Sequence, residues 1–244
     1  MVANAPLPIP GTYNFRDVGG YPARDGVVRR GVLFRSDGLS RLDDAGRDAL
    51  RSLAVHTIID LRDEYETTAM PDAVDGLGVD TVRLPVFEGS GASQGGGTIS
   101  LEALYARIVT QHSGVVIEAL RTIAGHRDGA VLVHCTAGKD RTGVIVALAL
   151  LAVGVDRALV VEDYAATESN LAGEWLEGMI AMVGEYGVPD SPELRVLMGG
   201  SPSHAIAAAI DLIERDHGSI RQYLLDSGLT IAELSALEDV LVDR

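Results

Sequence analysis

Lysine is almost missing from this chain, and so is cysteine: one of each occurs in 244 residues, beside 19 arginines. A single cysteine excludes an intrachain disulfide and points to a reducing compartment. Aromatic residues are scarce as well, at 5%. Long hydrophobic runs are absent. The longest uncharged apolar stretch, Gly143 to Val155, has 13 residues. A membrane span needs about 20, so the stretch reads as a buried helix and no membrane insertion is expected. No basic region followed by an apolar run opens the chain, so no signal peptide is visible. The expected location is cytoplasmic, with leaderless export left open. Positive charge is also in deficit. The net charge of −15 argues against a nucleic-acid partner and against peripheral binding to anionic membranes. No repeat, zinc-type spacing or Gly-x4-Gly-Lys-Ser/Thr loop occurs, so neither metal nor nucleotide is implied and no cofactor is expected.

What remains is enough for one domain over residues 1–244, with 47% apolar residues to build its core. The two rare residues lie close together: Lys139 follows Cys135 by four positions. A general preference for Arg explains why Lys is avoided elsewhere, but not why one is kept. Lys is a compact point charge on a flexible stem, whereas Arg is a planar fork.

The surrounding segment is Ala130-Val131-Leu132-Val133-His134-Cys135-Thr136-Ala137-Gly138-Lys139-Asp140-Arg141-Thr142-Gly143. Its apolar start reads as a buried strand, and the apolar run beyond Thr142 reads as a helix buried on most sides. Cys135 therefore opens a short turn between a strand end and a helix start. Backbone N–H groups at such a helix start converge on one point and favour an anion there. A thiol in that position becomes a thiolate easily. Arg141 offers a two-pronged donor for phosphate oxygens. Thr136, Ala137, Gly138, Lys139 and Thr142 complete the candidate phosphate-binding set. The combination suits transfer of a phosphoryl group onto sulfur and its release by water.

The string His-Cys-x5-Arg resembles the phosphate-binding loop of cysteine-dependent protein tyrosine phosphatases. The fuller string His134 to Gly143 resembles the mycobacterial PtpB-like subfamily. Asn14 to Tyr21, Leu33 to Asp37 and Ile58 to Arg62 resemble that family's N-terminal motifs, and Leu229 to Leu241 its closing helix. The match is weakest at about 85–113 and 171–203. The resemblance implies an α/β, tyrosine-phosphatase-like domain, with a mostly parallel central sheet flanked by helices and a helical C-terminal half. It also implies a phosphocysteine intermediate and substrates drawn from phosphotyrosine, phosphoserine, phosphothreonine or phosphoinositides.

Cys135 is the expected nucleophile, a buried structural thiol being the bland alternative. By resemblance, Asp140 is the general acid; otherwise it orients Arg141. Glu88 is a weaker candidate acid. Lys139 is expected to bind a second anionic group or to shape the phosphate field. His134 is expected to support the loop. Thr142 either donates toward sulfur or caps the helix. Asp60 and Arg62, at a strand end, face the ligand crevice or form an ordinary Arg62–Glu66 helix pair. Arg16 and Asp17 are candidates for supporting the loop from behind.

Elsewhere the pattern predicts strands near 12–18, 31–36, 55–60 and 79–84. Helices are predicted near 42–53, 101–112, 114–126, 156–169, 171–186, 204–217, 219–226 and 230–241. Gly89 to Ser100, with five Gly and three Ser, reads as a flexible loop. The segments at about 85–113 and 171–203 are candidate insertions, the latter being by resemblance a helical lid. Residues 1–62 carry nine Arg against seven acids, so an acidic chain still offers anions a basic N-terminal part. The favoured assembly is a monomer. Three readings remain: a phosphotyrosine phosphatase, a phosphoinositide phosphatase with the same chemistry, and a phosphate-binding module without turnover. An intact Cys135, Asp140 and Arg141 counts against the last; sulfur transfer is remote.

Overall fold

The computed structural model describes residues 5–87, 99–126 and 128–244. Glu88 and most of the Gly89 to Ser100 loop lie outside them. Strands β1 (Arg16–Asp17), β4 (Leu33–Ser36), β5 (Val55–Asp60), β6 (Asp80–Arg83) and β7 (Ala130–His134) form one sheet. Its order is β1-β4-β7-β5-β6, with only β1 antiparallel. The central strand β7 is apolar up to His134 because both of its faces are covered. Val131 and Val133 point into a large helical core, and Ala130 and Leu132 into a smaller core with Phe15, Phe34 and Leu50. The period of two along the strand thus feeds two cores at once.

The helices are α1 (Asp44–Ser52), α2 (Glu64–Ala69), α3 (Leu101–Gln111), α4 (Ser113–Gly125) and α5 (Asp140–Ala152). Six more follow: α6 (Arg157–Leu171), α7 (Glu174–Gly184), α8 (Pro192–Gly199), α9 (Ser203–His217), α10 (Ile220–Asp226) and α11 (Ile231–Leu241). Helix α5 takes in the apolar run from Gly143 as far as Ala152, and Val153 to Val155 lie at and beyond its cap. Ten of its 13 residues are buried, which is why that stretch of sequence shows no polar face.

Three short strands went unrecognised in the sequence: β2 (Pro22–Ala23), β3 (Gly26–Val28) and β8 (Val242–Asp243). They form a small antiparallel sheet joining the N-terminal hairpin to the last residues. Two or three residues are too few to show alternation. The predicted strand at 12–18 shrinks to Arg16–Asp17, because the chain turns at Gly11 and Thr12 first. Helices α2 and α8 were not expected either. Their caps are legible afterwards. Asp63 and Glu66 form a capping box, and Ser191 precedes Pro192.

Register decides where chemistry gathers. Ser36 and Asp60 both pair with His134, so β4, β7 and β5 end at one level. Ser36-Asp37, His134-Cys135 and Asp60-Leu61-Arg62 therefore open on the same carboxyl edge of the sheet, where ligands bind in open α/β sheets.

Candidate active site

The turn from Cys135 to Arg141 leaves β7 and enters α5, with Asp140 and Arg141 in the helix's first turn. It folds tightly because Gly138 takes a φ of +63°. A Cβ there would lie 2.2 Å from the Ser36 carbonyl oxygen, so only glycine fits.

A buried cradle holds the turn from below. Asn14 Nδ2 donates to the carbonyls of Ala137 and Gly138, both at 3.1 Å. Arg35 Nη2 donates to Gly138 O at 2.8 Å, and its Nη1 donates to Asp163 Oδ2 at 2.6 Å. Arg16 holds the side-chain oxygen of Asn14 and donates from Nη2 to Asp163 O and Thr167 Oγ1, at 2.9 and 3.0 Å. Tyr21 donates to Asp163 Oδ1 at 3.1 Å. Burial pushes the Asp163 carboxyl up, but Arg16 and Arg35 outweigh it and hold it below its ordinary value. Burial next to Arg35 lowers Arg16 to about 10, against the pull of Asp163. The motif from Asn14 onward thus supports the loop through Asn14 and Arg16. Asp17 does not: its carboxylate accepts from the backbone N–H of Gly19 and Gly31, and shapes a turn instead. Asp163 and Asn14 were missed in the sequence, where a lone Asp on a long helix carries no signal.

Arg141 is held by Glu66, not by Asp140. Its Nη1 and Nη2 donate to Glu66 Oε2 and Oε1 at 2.5 and 2.7 Å. Thr136 Oγ1 donates to Glu66 Oε1 at 2.6 Å. Burial raises the Glu66 carboxyl, but the bonds and charge of Arg141 outweigh it and hold it at about 2. Burial lowers Arg141, but the bonds and charge of Glu66, with the charges of Cys135 and Asp140, outweigh it and hold it above its ordinary value. The Arg62–Glu66 pair suggested by their spacing does not form. Instead the capping box of α2 aims Glu66 at the loop. The Leu61 carbonyl takes the second Nη1 proton, at 3.4 Å. This leaves Nε–H and one Nη2–H, the side-on edge of the fork, without a partner among the described residues.

Asp140 Oδ1 accepts from Tyr105 at 2.6 Å and lies 3.3 Å from Lys139 Nζ. Tyr164 lies 2.6 Å from Tyr105, oxygen to oxygen. Since the Tyr105 proton is engaged with Asp140, Tyr164 is the donor of that second bond. Burial and the Asp140 charge push both tyrosines above their ordinary values, so both remain donors. Neither was expected; Tyr105 sits in a stretch whose resemblance was weakest. Asp140 Oδ2 has no partner among the described residues.

Lys139 departs most from expectation. It is fully buried and outside the cavity, where a charge facing substrate was expected. Gly138 and Thr142 also lie outside the cavity lining. Thr142 Oγ1 is buried without a hydrogen-bond partner among the described residues, and it neither caps α5 nor bonds the sulfur. His134 Nδ1 lies 3.2 Å from Cys135 O, and its Nε2 lies 3.3 Å from Asp72 Oδ2. Arg62 donates to Asp60 from Nε and Nη2, both at 2.9 Å, and pairs with Asp72 at 2.7 Å. Asp60, Asp72 and His134 bring three potential metal ligands within 4.8 Å of one another. The Arg62 guanidinium already bonds both carboxylates, so an added cation would meet a fixed positive charge. Asp60 and Arg62 do not line the cavity that Cys135 and Arg141 line; Arg62 lines a smaller adjoining pocket with Asp37 and Thr136.

That cavity holds about 550 Å³. Cys135, Thr136, Ala137, Asp140 and Arg141 line its floor. Its walls and roof are Tyr65 and Met70 of α2, Trp175, Met179 and Met182 of α7, and Leu197 and Met198 of α8. Trp175, Met179, Met182, Leu197 and Met198 of the segment 171–203 thus share a cavity with the loop. A thiol, a fork, a carboxylate with one oxygen unpartnered among the described residues and an apolar sleeve have the chemistry to accept a phosphate ester on an apolar carrier.

A model of the tyrosine phosphatase family matches residues 7–243. The chain is 33% identical to the triple specificity protein phosphatase PtpB of Mycobacterium tuberculosis, over 96% of this chain and 98% of that protein. It is 37% identical to a tyrosine-protein phosphatase of Nostoc commune, over 59% of this chain and 50% of that protein. P. aeruginosa TpbA resembles it at 20% identity and a TM-score of 0.38, over 74% of this chain and 95% of that one. The chain belongs to the tyrosine phosphatase family.

Proposed function

We propose that this phosphatase hydrolyses phosphotyrosine through a phosphocysteine intermediate on Cys135. The observation that carries the proposal is the free side-on edge of Arg141 in the same cavity floor as Cys135. Two N–H donors there match two phosphate oxygens in a bidentate pair. The thiolate attacks phosphorus, the P–O bond to the leaving group breaks, and Asp140 Oδ2 delivers the proton to the departing oxygen. Water then attacks phosphorus and gives a proton back to Asp140. The S–P bond breaks, releasing phosphate and restoring the thiolate. Loop N–H groups and Arg141 carry the charge of the transferring group.

The cavity lining supports a protein substrate over a polyphosphorylated lipid headgroup. Arg141 is the only Lys or Arg lining this cavity, and Arg41 and Arg62 line only an adjoining pocket of about 30 Å³, so a second phosphate finds no cationic partner within the cavity itself. Trp175, Met179 and Met70 suit the flat face of a phenyl ring. The triple specificity in the relative's name is the reason to measure phosphoserine and phosphothreonine peptides alongside. The test is hydrolysis of an aryl phosphate with a chelator present. Activity is expected in the native protein and absent in Cys135→Ser; activity that survives this change overturns the mechanism. Faster turnover of a phosphoinositide than of a phosphotyrosine peptide overturns the substrate assignment.

A further inference from the structure

The lone lysine of the chain does not line the cavity that Cys135 lines, yet it is next in sequence to the proposed acid. Its Nζ donates to the carbonyls of Leu197 and Gly200, at 2.8 and 2.9 Å, and sits 3.3 Å from Asp140 Oδ1. Three acceptors meet the three protons of an ammonium, a geometry a planar guanidinium does not offer. Both carbonyls belong to the C-terminal end of α8, with Leu197 in its last turn and Gly200 its C-cap. Carbonyls at that end lack partners within the helix and favour a cation. Otherwise α8 is anchored by Leu197 packed against the main core, by Leu176 of α7 lying against Gly199, and by the Ser201 N–H just beyond it donating to Glu168 Oε2 at 2.9 Å. Gly199 is its only buried residue, and the ion pairs of Arg195 with Glu177 and Asp190 are exposed.

We propose that Lys139 is a positioning residue that latches the roof helix α8 to Asp140, so that seating the roof and placing the acid are one event. The inference rests on the reading of Asp140 as acid. When α8 is seated, the ammonium is drawn to the Leu197 and Gly200 carbonyls and holds Oδ1 from one side. Tyr105 holds the same oxygen from the other side, which leaves Oδ2 to carry the proton. When α8 lifts, the ammonium loses two acceptors and Asp140 loses one of its two holds.

The test pairs hydrogen exchange of the α8 amides with the dependence of rate on leaving group. Lys139→Met keeps most of the stem and removes the charge. It is expected to raise exchange over 192–199 at least tenfold, and to slow esters with poor leaving groups more than those with good ones. Tyr105→Phe removes the other hold on Oδ1. It is expected to shift the leaving-group pattern while α8 exchange stays as in the native protein. Lys139→Arg is expected to follow Lys139→Met, because the fork does not meet three acceptors. If Lys139→Met fails to fold, Lys139→Gln, shorter and uncharged, gives the same readouts. Unchanged α8 exchange in the lysine variants overturns the latch. Raised exchange with a flat leaving-group pattern overturns its link to the acid. If Asp140→Asn shows no leaving-group dependence, the acid assignment fails by itself, and the exchange measurement still decides the latch.

Discussion

The floor and the roof of the cavity are built in opposite ways. Under the loop, Asn14, Arg16, Arg35, His134 and Asp163 are buried to within 1% of full enclosure. Each bonds to a backbone or side chain distant in sequence. The roof has almost none of this. In α7 only Trp175 and Ile180 are buried, and Tyr186 and Val188 beyond it are exposed. Methionines supply much of its inner face, and their flexible side chains adapt to what they meet. The contrast separates two tasks. Stabilising a transition state needs donors already in position when charge develops. Admitting varied substrates needs a surface that repacks. Lys139 is the buried polar tie between the two.

If the floor is the stiff part, its disruption should have the largest effect. Asp163→Asn leaves Arg16 and Arg35 buried without their counter-charge. Removing one partner from such a pair costs about 3–5 kcal/mol. Denaturant titration is expected to show a loss of that size, together with a large fall in aryl phosphate turnover. A change under about 1 kcal/mol would mean the cradle is not interlocked.

A smaller effect is expected where the floor meets α2. The Glu66 carboxyl is held at about 2 instead of 4.5. A depressed carboxyl stabilises the fold above its unfolded value, and that contribution fades as pH falls through the folded one. Glu66 stability is therefore fully present above about pH 4.5 and lost progressively toward pH 2. Glu66→Gln is expected to flatten the acid limb of stability against pH and to raise KM for phosphate esters, since the fork loses its brace. An unchanged acid limb would remove Glu66 from the floor.

The smallest effect belongs to the roof's outer surface. Arg195→Ala breaks the exposed pairs with Glu177 and Asp190. Such pairs are worth about 0–1 kcal/mol. A melting temperature within a few degrees of the native protein is expected, with turnover of a small aryl phosphate intact. A larger loss would make the roof more tightly built than its burial indicates.

Much of this was legible beforehand. The strand-turn-helix around Cys135 shows in sequence because one continuous segment carries apolar strand, turn residues and apolar helix in order. Helices α3, α4, α9 and α11 show for the same reason, having enough turns to display their period. The small β2-β3-β8 sheet does not, since its strands lie at the two ends of the chain. Glu66 illustrates the same limit. Four residues from Arg62, it suggests a helix pair, yet it binds Arg141, 75 residues away.

Sequence alone located the candidate loop: a lone cysteine and an arginine six positions later, between an apolar strand and an apolar helix. These are local facts, because nucleophile, fork and helix start lie within one short segment. Tertiary structure alone decided what each neighbour does. It turned Asp17 to a distant turn, brought Tyr105, Glu66 and Asp163 to the loop, and buried the lone lysine under α8. Those outcomes depend on which surfaces meet when the sheet closes and the helices pack. A side chain's partner there is set by distance in space, which a charge or a spacing along the chain does not encode.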